Sequence, residues 1–381
     1  MQSNLPEIKP IAVADLVTHY TFDEIVQLLR DLISTPSQSG AEQEAASKLD
    51  NDLHRHGIAT HRLHNNIWAL SKGFDSAKPT LMLNSHIDTV RPNEGYTRDP
   101  YDAAIEDGRL YGLGSNDAGA SLVALVATFV DLYDTTHYPF NLLLAISAEE
   151  EKMGERGIRA LLPALKAECV EPKWAIVGEP TLMQSAVGER GLVVLDGTAH
   201  GRSGHAAREE GINSLYLAID DINTLRNFRF ERVSEVLGDI KVTVTQIEAG
   251  QQHNIIPYLC RFVVDIRTTD AYSNEEVVEI LQGAVKHSTL VPRSTRIHAS
   301  ALADTHPLVE AASRCGCKPY VSPTTSDRAL MHGIEALKIG VGDSARSHMA
   351  DEWVGIDEIV HGWQTYKQII TNFAENLNEI Q

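Results

Sequence analysis

The sequence predicts an α/β protein in which a doubly wound mixed sheet is interrupted by a smaller α+β domain. Strand-like apolar runs alternate with helical patterns in the first half of the chain, as in layered parallel sheets. A β-α-β-β-α order follows Pro180, and the earlier alternation returns near Arg296. Because 381 residues are too many for one ordinary core, we expect one domain at 1–181 plus 295–381 and a second at 182–294.

Hydrophobic periodicity supports each element of the first domain. Residues 21–33 have the spacing of an amphipathic helix, and a second helix at 41–56 ends before Gly57, a residue suited to a left-handed cap. The other predicted elements before Pro180 are strands at 67–70, 80–84, 141–147 and 173–177 and helices at 120–132 and 158–165.

The second domain and the return to the first are predicted in the same way. The second domain has strands at 192–198, 241–246 and 260–267 and helices at 213–225 and 274–287. After it come a short strand, a helix at 307–314, a strand at 336–341 and a final helix from about Ile356.

Composition excludes several classes of function. Lys plus Arg number 33 against 52 Asp plus Glu, and the net charge of −19 disfavours nucleic-acid binding, which needs clustered cations. Four cysteines are too few for a disulfide framework and indicate reduced thiols. We find no secretory signal in residues 1–20, and the most apolar run, 122–130, is too short for a bilayer, so we expect a cytoplasmic protein.

His86 and Asp88 follow a continuous apolar strand, and residues two apart in a strand project to the same side. The carboxyl ends of such strands meet at the crevice in which α/β proteins place their ligands. Asp88 is well spaced to hold the imidazole of His86, as carboxylates do for metal-bound histidines. Taken alone, such a pair is more often part of an ordinary loop.

Asp117 stands just before the apolar helix, in the segment RLYGLGSNDAGA. The glycines imitate a dinucleotide fingerprint, but Asp117 takes the place of the third glycine and would repel a pyrophosphate. A carboxylate at this position can instead cap the helix or bind a metal ion.

Three consecutive acids, Glu149, Glu150 and Glu151, follow another apolar strand. In a low-dielectric crevice they would repel one another, so we expect a divalent cation to compensate them; the alternative is a solvated acidic turn. Glu179 in WAIVGEPTL and His348 in IGVGDSARSHMADEW also follow strand and glycine segments. Five strand-end segments thus present His, Asp or Glu, which predicts a metal centre.

These motifs, in this order, resemble those of the dinuclear-zinc deacylase and carboxypeptidase family. Their residues look most similar to those of the acetylornithine deacetylase branch. The resemblance covers nearly the whole chain. It rests on HID at 86–88, GSND at 114–117, the Glu run at 149–151, GEP at 178–180, SGHAA at 203–207 and the late SHMADEW. The family's usual Asp-Met-Lys-Gly is Asp-Ala-Gly-Ala at 117–120 here, with the acidic ligand retained.

The resemblance implies two divalent cations, with zinc as the first expectation and cobalt or manganese as alternatives. Asp117 would bridge them. His86 and Glu179 would complete one site, and Glu151 and His348 the other.

By the same resemblance Glu150 would be the general base, and Asp88 would orient His86. The run of three acids leaves Glu149 and Glu150 as the alternative base and ligand.

The second domain resembles the family's lid and dimerisation domain, which implies a homodimer. His205 would reach a neighbouring active site and stabilise the oxyanion there. Arg267 and Asn254 would bind the carboxylate of the substrate, a role that suits a permanently charged guanidinium.

The reaction that the resemblance implies is hydrolysis of the amide bond of a small N-acyl-L-amino acid. N-acetylornithine in arginine biosynthesis is the first candidate; N-acetylcitrulline, N-succinylornithine, N-succinyl-diaminopimelate and dipeptides are the alternatives. A catalytically silent binding protein would have no need of the acid cluster, and a nicotinamide-dependent dehydrogenase conflicts with Asp117. The sequence contains no G-x-S-x-G, P-loop or H-E-x-x-H motif.

Overall fold

The computed structural model describes residues 19–380 and divides the chain into two compact units. Unit 1 runs to Ala186 and resumes over Asp304–Pro319 and from Gly333 onward. Unit 2 comprises Val187–Ala303 and Tyr320–His332. A mixed α/β unit interrupted by a second unit confirms the predicted fold class. Residues 1–18 lie outside the described residues. They form most of the segment 1–20, in which we found no secretory signal.

The unit boundaries differ from the predicted ones because residues 320–332 lie with unit 2. In that segment Arg328 donates from Nη2 to the carbonyl oxygen of Val187 at 2.9 Å, and Ser326 Oγ donates to Glu189 Oε1 at 2.9 Å. Both bonds join residues that are more than 130 positions apart in the sequence, so local patterns could not reveal them.

Helices and short strands succeed one another along both units. The helices are α1 Phe22–Ile33, α2 Gln43–Arg55, α3 Ala120–Leu132, α4 Ile158–Ala167, α5 Ser214–Asn227, α6 Asn274–Ala284, α7 Pro307–Ser313 and α8 Ile356–Ile380. The strands are β1 His61–Leu63, β2 Asn66–Leu70, β3 Thr80–His86, β4 Ile105–Glu106, β5 Arg109–Tyr111, β6 Asn141–Ser147, β7 Pro172–Val177, β8 Ser185–Glu189, β9 Gly191–His200, β10 Gly204–His205, β11 Lys241–Ala249, β12 Ile255–Ile256, β13 Leu259–Thr268, β14 Ser288–Pro292, β15 Ser300–Ala301, β16 Pro319–Ser322, β17 Glu335–Lys338 and β18 Trp353–Gly355.

The main sheet of unit 1 has the strand order β1-β2-β6-β3-β7-β17. Strand β3 pairs in parallel with both β6 and β7, β17 is parallel to β7, and β2 is antiparallel to β6. Every residue of β3 and β6 is buried, which explains the apolar runs at 81–83 and 142–146 within them. The four parallel strands end at one edge, where His86 pairs with Ser147 and Val177 pairs with Lys338.

Two helices show how the sequence builds unit 1. Helix α1 starts with a capping box, in which Thr21 and Glu24 satisfy each other's backbone amides. Helix α3 is buried at every residue from Ala120 to Val130 and packs against β3 and α8. A helix that is apolar on all sides belongs in a core, and α3 thereby fixes the loop that precedes it.

Unit 2 is built on an antiparallel sheet with the order β11-β13-β9-β14. Alternate residues of β9 and β13 form its core together with residues of α5 and α6. Helix α6 ends at Ala284, short of the predicted 287, because the carboxylate of Asp221 binds the amides of Lys286, His287 and Ser288. Strand β14 then begins at once, and the sequence patterns did not predict it.

Within residues 19–380, no helix combines the length and the apolar character that a membrane span requires. All four cysteines are free, as expected from their number and spacing.

Candidate metal centre

The candidate site lies in unit 1, at the edge where the parallel strands end. Strand β3 ends at His86, β6 is followed by the three acids, and Glu179 comes two residues after β7. Asp117 lies in the loop before α3, and His348 follows β17 by ten residues. The structure brings these segments together, although they span more than 260 residues of sequence.

Asp117 is at the centre of the site, and its two carboxylate oxygens face different histidines. Its Oδ1 lies 3.4 Å from Nε2 of His86, and its Oδ2 lies 3.7 Å from Nε2 of His348. Each histidine also meets a second acid. His86 Nε2 is 3.9 Å from Glu179 Oε1, and His348 Nε2 is 3.0 Å from Glu151 Oε2.

The separations between these donor atoms fit divalent cations. Nitrogen and oxygen ligands bind zinc at about 2.0–2.2 Å, which places neighbouring ligands of a tetrahedral ion roughly 3.3–3.6 Å apart. Ligand atoms of His86, Asp117 and Glu151 lie within 4.8 Å of one another. The donor set, imidazole nitrogen and carboxylate oxygen, suits zinc, cobalt and manganese.

The ring of His86 is held so that Nε2 is available as a ligand. Its Nδ1 lies 2.9 Å from the backbone carbonyl oxygen of Asp88, which can only accept, so Nδ1 carries the proton. The carboxylate of Asp88 is farther away, at 3.6 Å. Burial lowers the pKa of His86, but hydrogen bonds to Asp117 and Asp88 and the charges of Glu150 and Glu179 outweigh it and raise that pKa well above its usual range.

The carboxylate of Asp88 binds the backbone of the acidic turn at Glu150 and Glu151, a contact that no sequence pattern predicted. It accepts hydrogen bonds from the backbone N–H of Glu150 at 2.9 Å, from that of Glu151 at 3.2 Å, and from Ser39 Oγ at 2.6 Å. Burial raises the pKa of Asp88, but these bonds and the neighbouring His86 lower it overall. Asp88 therefore links the His86 side of the site to the acidic turn.

The three consecutive acids have different surroundings. Glu149 adopts a left-handed backbone conformation and pairs with Arg156 Nη2 at 2.8 Å and Lys152 Nζ at 3.4 Å. Burial raises the pKa of Glu149, but the bonds from Arg156 and Lys152 lower it overall. Glu151 faces His348 instead, and its hydrogen bond is the main cause that raises the pKa of His348 to about 9.

Glu352 is a buried acid of the site that was not predicted from the sequence. Its carboxylate, only 2% exposed, accepts the backbone N–H groups of Gly114, Asn116 and Asp117. Burial, with the charge of Asp117, raises the pKa of Glu352 to about 7 against the effect of these amides. The sequence feature that could have identified Glu352 is its position four residues after His348 in the motif SHMADEW.

In unit 2, His205 lies on β10, and Asn254 directly precedes β12, the strand that pairs with β10 in a two-stranded ribbon. His205 pairs with Ile255, and the N–H of Ala206 donates to the carbonyl oxygen of Asn254 at 3.0 Å. The N–H of Ala207 donates to Nδ1 of His205 at 3.2 Å. In the neutral ring the proton must then be on Nε2, which makes the exposed nitrogen a hydrogen-bond donor.

Arg267 lies near the far end of β13 from this ribbon. It forms an ion pair with Asp265 at 2.9 Å. Leu259 begins β13 beside the ribbon, and eight strand residues at 3.3 Å each put Arg267 about 26 Å away. One copy of unit 2 therefore does not bring Arg267 and Asn254 to the same small carboxylate, and their shared role in substrate binding stays a prediction.

A mixed sheet with histidine and carboxylate donors at its strand ends is the architecture of a metal-dependent hydrolase. The sequence model of peptidase family M20/M25/M40 matches residues 82–372 of the chain. The chain belongs to this family, which confirms the resemblance found in the sequence.

Three similar proteins illustrate the match. A succinyl-diaminopimelate desuccinylase of Cereibacter sphaeroides is 30% identical over 270 residues, 68% of this chain and 71% of that protein. Succinyl-diaminopimelate desuccinylase 2 of Shewanella loihica is 24% identical over 375 residues, 92% of this chain and 99% of that protein. The structure of the YXEP protein of Bacillus subtilis, a dinuclear metal binding peptidase, covers 93% of this chain and 99% of its own, with a TM-score of 0.68 and 16% identity.

Proposed function

We propose that the chain is a dinuclear metal-dependent deacylase that hydrolyses the amide bond of a small N-acyl-L-amino acid. The observation that carries the proposal is the position of Asp117, whose two oxygens face two separate pairs of His and Glu. In the proposal Asp117 would be shared by two cations, of which His86 and Glu179 would hold one and Glu151 and His348 the other.

The bound cations, zinc in the first instance, would polarise the amide carbonyl and acidify a water molecule. The family resemblance assigns the proton transfer to Glu150, and the contacts of its neighbours agree with this, because Glu149 is paired with Arg156 and Glu151 faces His348. Glu150 takes the proton of the attacking water and delivers it to the departing amine. Asp88 holds the backbone of Glu150 and so fixes the position of this base.

His205 would complete the site by donating from Nε2 to the oxyanion, a role that its tautomer supports. Arg267 would bind the substrate carboxylate, and Asn254 would assist from the ribbon that carries His205. Since Arg267 lies about 26 Å along β13 from that ribbon, we propose that these residues reach one substrate from two copies of the chain.

The dimer that this requires is proposed to form through unit 2. Strand β11 is an edge of the described sheet, and Ile247 on it is 51% exposed. Helix α5, which packs beside β11, exposes Tyr216 and Ile219. An unpaired edge next to exposed apolar side chains suits a self-complementary interface between two identical chains.

For the substrate, the relatives named above favour N-succinyl-diaminopimelate. N-acetylornithine, the first expectation from the motifs, becomes the second candidate, and a role in arginine biosynthesis finds no support in those relatives. Four free thiols favour a reducing compartment, and we keep the proposal of a cytoplasmic enzyme.

The test is amide hydrolysis by the metal-loaded chain on N-succinyl-diaminopimelate, N-acetylornithine, N-acetylcitrulline, N-succinylornithine and a dipeptide, with and without chelator. We expect chelator-sensitive cleavage of one acylated amino acid. Glu150→Gln should lower kcat by at least about a thousandfold and keep the metal content, because it removes only the base.

The matched control is Glu149→Gln, one residue away in the same acidic run, which should retain most of the turnover because Glu149 faces Arg156. Full turnover by Glu150→Gln would refute the assignment of the base. Inactivity of the wild-type chain on the whole panel, despite two bound ions, would refute the proposed substrate class.

A further inference from the structure

Glu352 lies outside the proposed ligands and the base, yet its carboxylate is buried beside them. One oxygen, Oε1, accepts from the N–H groups of Asn116 and Asp117 at 2.8 Å each. The other, Oε2, accepts from the N–H of Gly114 at 3.0 Å. All three donors belong to the loop that carries Asp117.

That loop needs an outside acceptor. Gly114 has a φ of 75°, and Asp117 and Ala118 depart from helical geometry, so the loop does not form a regular first turn. Only some of its amides are satisfied internally, as when Gly119 donates to the carbonyl of Gly114. A buried amide without an acceptor is costly, and Glu352 accepts from three of them.

The segment that contains Glu352 also contains His348, and it is joined to the Asp117 segment along its length. Strand β18 pairs with β5, and the N–H of Gly112 donates to the backbone oxygen of Glu352 at 2.9 Å. Farther along, the amide side chain of Asn116 exchanges two hydrogen bonds with the backbone of Asp343. The backbone that supplies one histidine thus also fixes the loop of the central acid.

We propose that Glu352 is a positioning residue that fixes Asp117 as the bridge between the two cations. The inference rests on the proposed dinuclear function. A bridging carboxylate must aim each oxygen at a different ion, so it tolerates little freedom of its backbone. Without Glu352, Asp117 can still bind one ion, whereas the second ion loses the fixed oxygen.

The test is a titration of the metal-free, full-length chain with Co²⁺, followed by calorimetry and by the absorption spectrum of the bound ion. The wild-type chain should bind two ions. In Glu352→Ala the weaker-binding ion should lose about 10- to 100-fold in affinity while the tighter one changes little. Glu352→Gln should be intermediate, because its single oxygen still meets Asn116 and Asp117 but its amide group faces the N–H of Gly114.

The matched control is Asp351→Asn. The Asp351 carboxylate also accepts two backbone amides, those of Thr97 and Arg98, but none from the Asp117 loop. The Asp351→Asn variant should have the same Co²⁺ affinities and the same absorption spectrum as the wild type. Rescue by Glu352→Gln relative to Glu352→Ala would distinguish positioning from a general effect on stability.

Two unchanged affinities and an unchanged spectrum in both Glu352 variants would overturn the inference, as would an equal weakening of both ions. If Glu352→Ala does not fold, the Glu352→Gln titration decides by the same criteria. A wild-type chain that binds fewer than two ions would overturn the dinuclear function itself, and the inference with it. Two ions in the wild type with unchanged variants would leave that function standing.

Discussion

At the scale of single residues, the site depends on carboxylates that hold backbone rather than on ligands alone. Asp88 accepts the amides of Glu150 and Glu151, and its own carbonyl oxygen binds Nδ1 of His86. One residue thus fixes both the imidazole on one side of Asp117 and the acidic turn on the other. The loss of an outer partner of this kind typically costs about 10- to 100-fold in metal affinity or activity.

We therefore expect Asp88→Ala to lower metal affinity about 10- to 100-fold and to lower kcat as well, since the turn of Glu150 loses its acceptor. Zinc titration and steady-state kinetics at saturating zinc separate the two effects. Ser39→Ala, which removes only the hydroxyl that donates to Asp88, is the milder control. Recovery of full kcat at saturating zinc would show that Asp88 acts on the ligand alone.

At the scale of elements, buried acids also determine where helices and strands end. Asp221 on α5 is 1% exposed and accepts the amides of Lys286, His287 and Ser288 between α6 and β14. Burial raises the pKa of Asp221, but these amides outweigh it and lower the pKa below its usual value. The stabilising form is the carboxylate.

Because the folded-state pKa is depressed, this stabilisation is fully present above the unfolded pKa, about 4, and is lost as the pH falls through the lower folded value. Asp221→Asn should lower the free energy of unfolding by about 1–3 kcal/mol at pH 7. The difference from wild type should shrink below about pH 4. Urea denaturation across this pH range measures the difference in free energy of unfolding between the variant and the wild type. The control is Asp220→Asn, a change of the exposed neighbouring residue. A difference that does not depend on pH would contradict the electrostatic origin of the stabilisation.

At the scale of the whole molecule, we propose that the active site is shared between two chains. His205 and Asn254 lie at one end of β13 and Arg267 near the other, a separation that a small substrate does not span. The exposed edge of β11 offers the surface for pairing.

Complementation tests this arrangement. Homodimers of Glu150→Gln and of His205→Ala should both be inactive, but mixed dimers should contain one intact site, built from Glu150 of one chain and His205 of the other. After random exchange of subunits, turnover should return to about one quarter of the wild-type value per chain, because half of the dimers are mixed. Mixtures that stay inactive although exchange is verified would show that His205 acts within its own chain.

Local sequence patterns were sufficient to predict most of the elements and the segments that the structure brings together at the candidate site. Residues 120–132 and 141–147 were predicted at the observed bounds of α3 and β6, since a mostly apolar helix and a mostly apolar strand have few other places in a fold. The proposed ligands could be picked out because each one lies in a short polar segment next to a predicted strand or helix, although His348 is ten residues beyond β17.

Which groups face each other depended on how the chain folds in three dimensions. In the folded chain Glu149 forms an ion pair with Arg156, whereas Glu151 contacts His348. Glu352 accepts hydrogen bonds from the loop that carries Asp117. Arg267 lies far from His205 along β13. Periodicity is a local property that arises from the turn of a helix or the pleat of a strand. Contacts such as the one between Gly114 and Glu352, 238 positions apart, depend on strand order and loop path, which no local pattern contains.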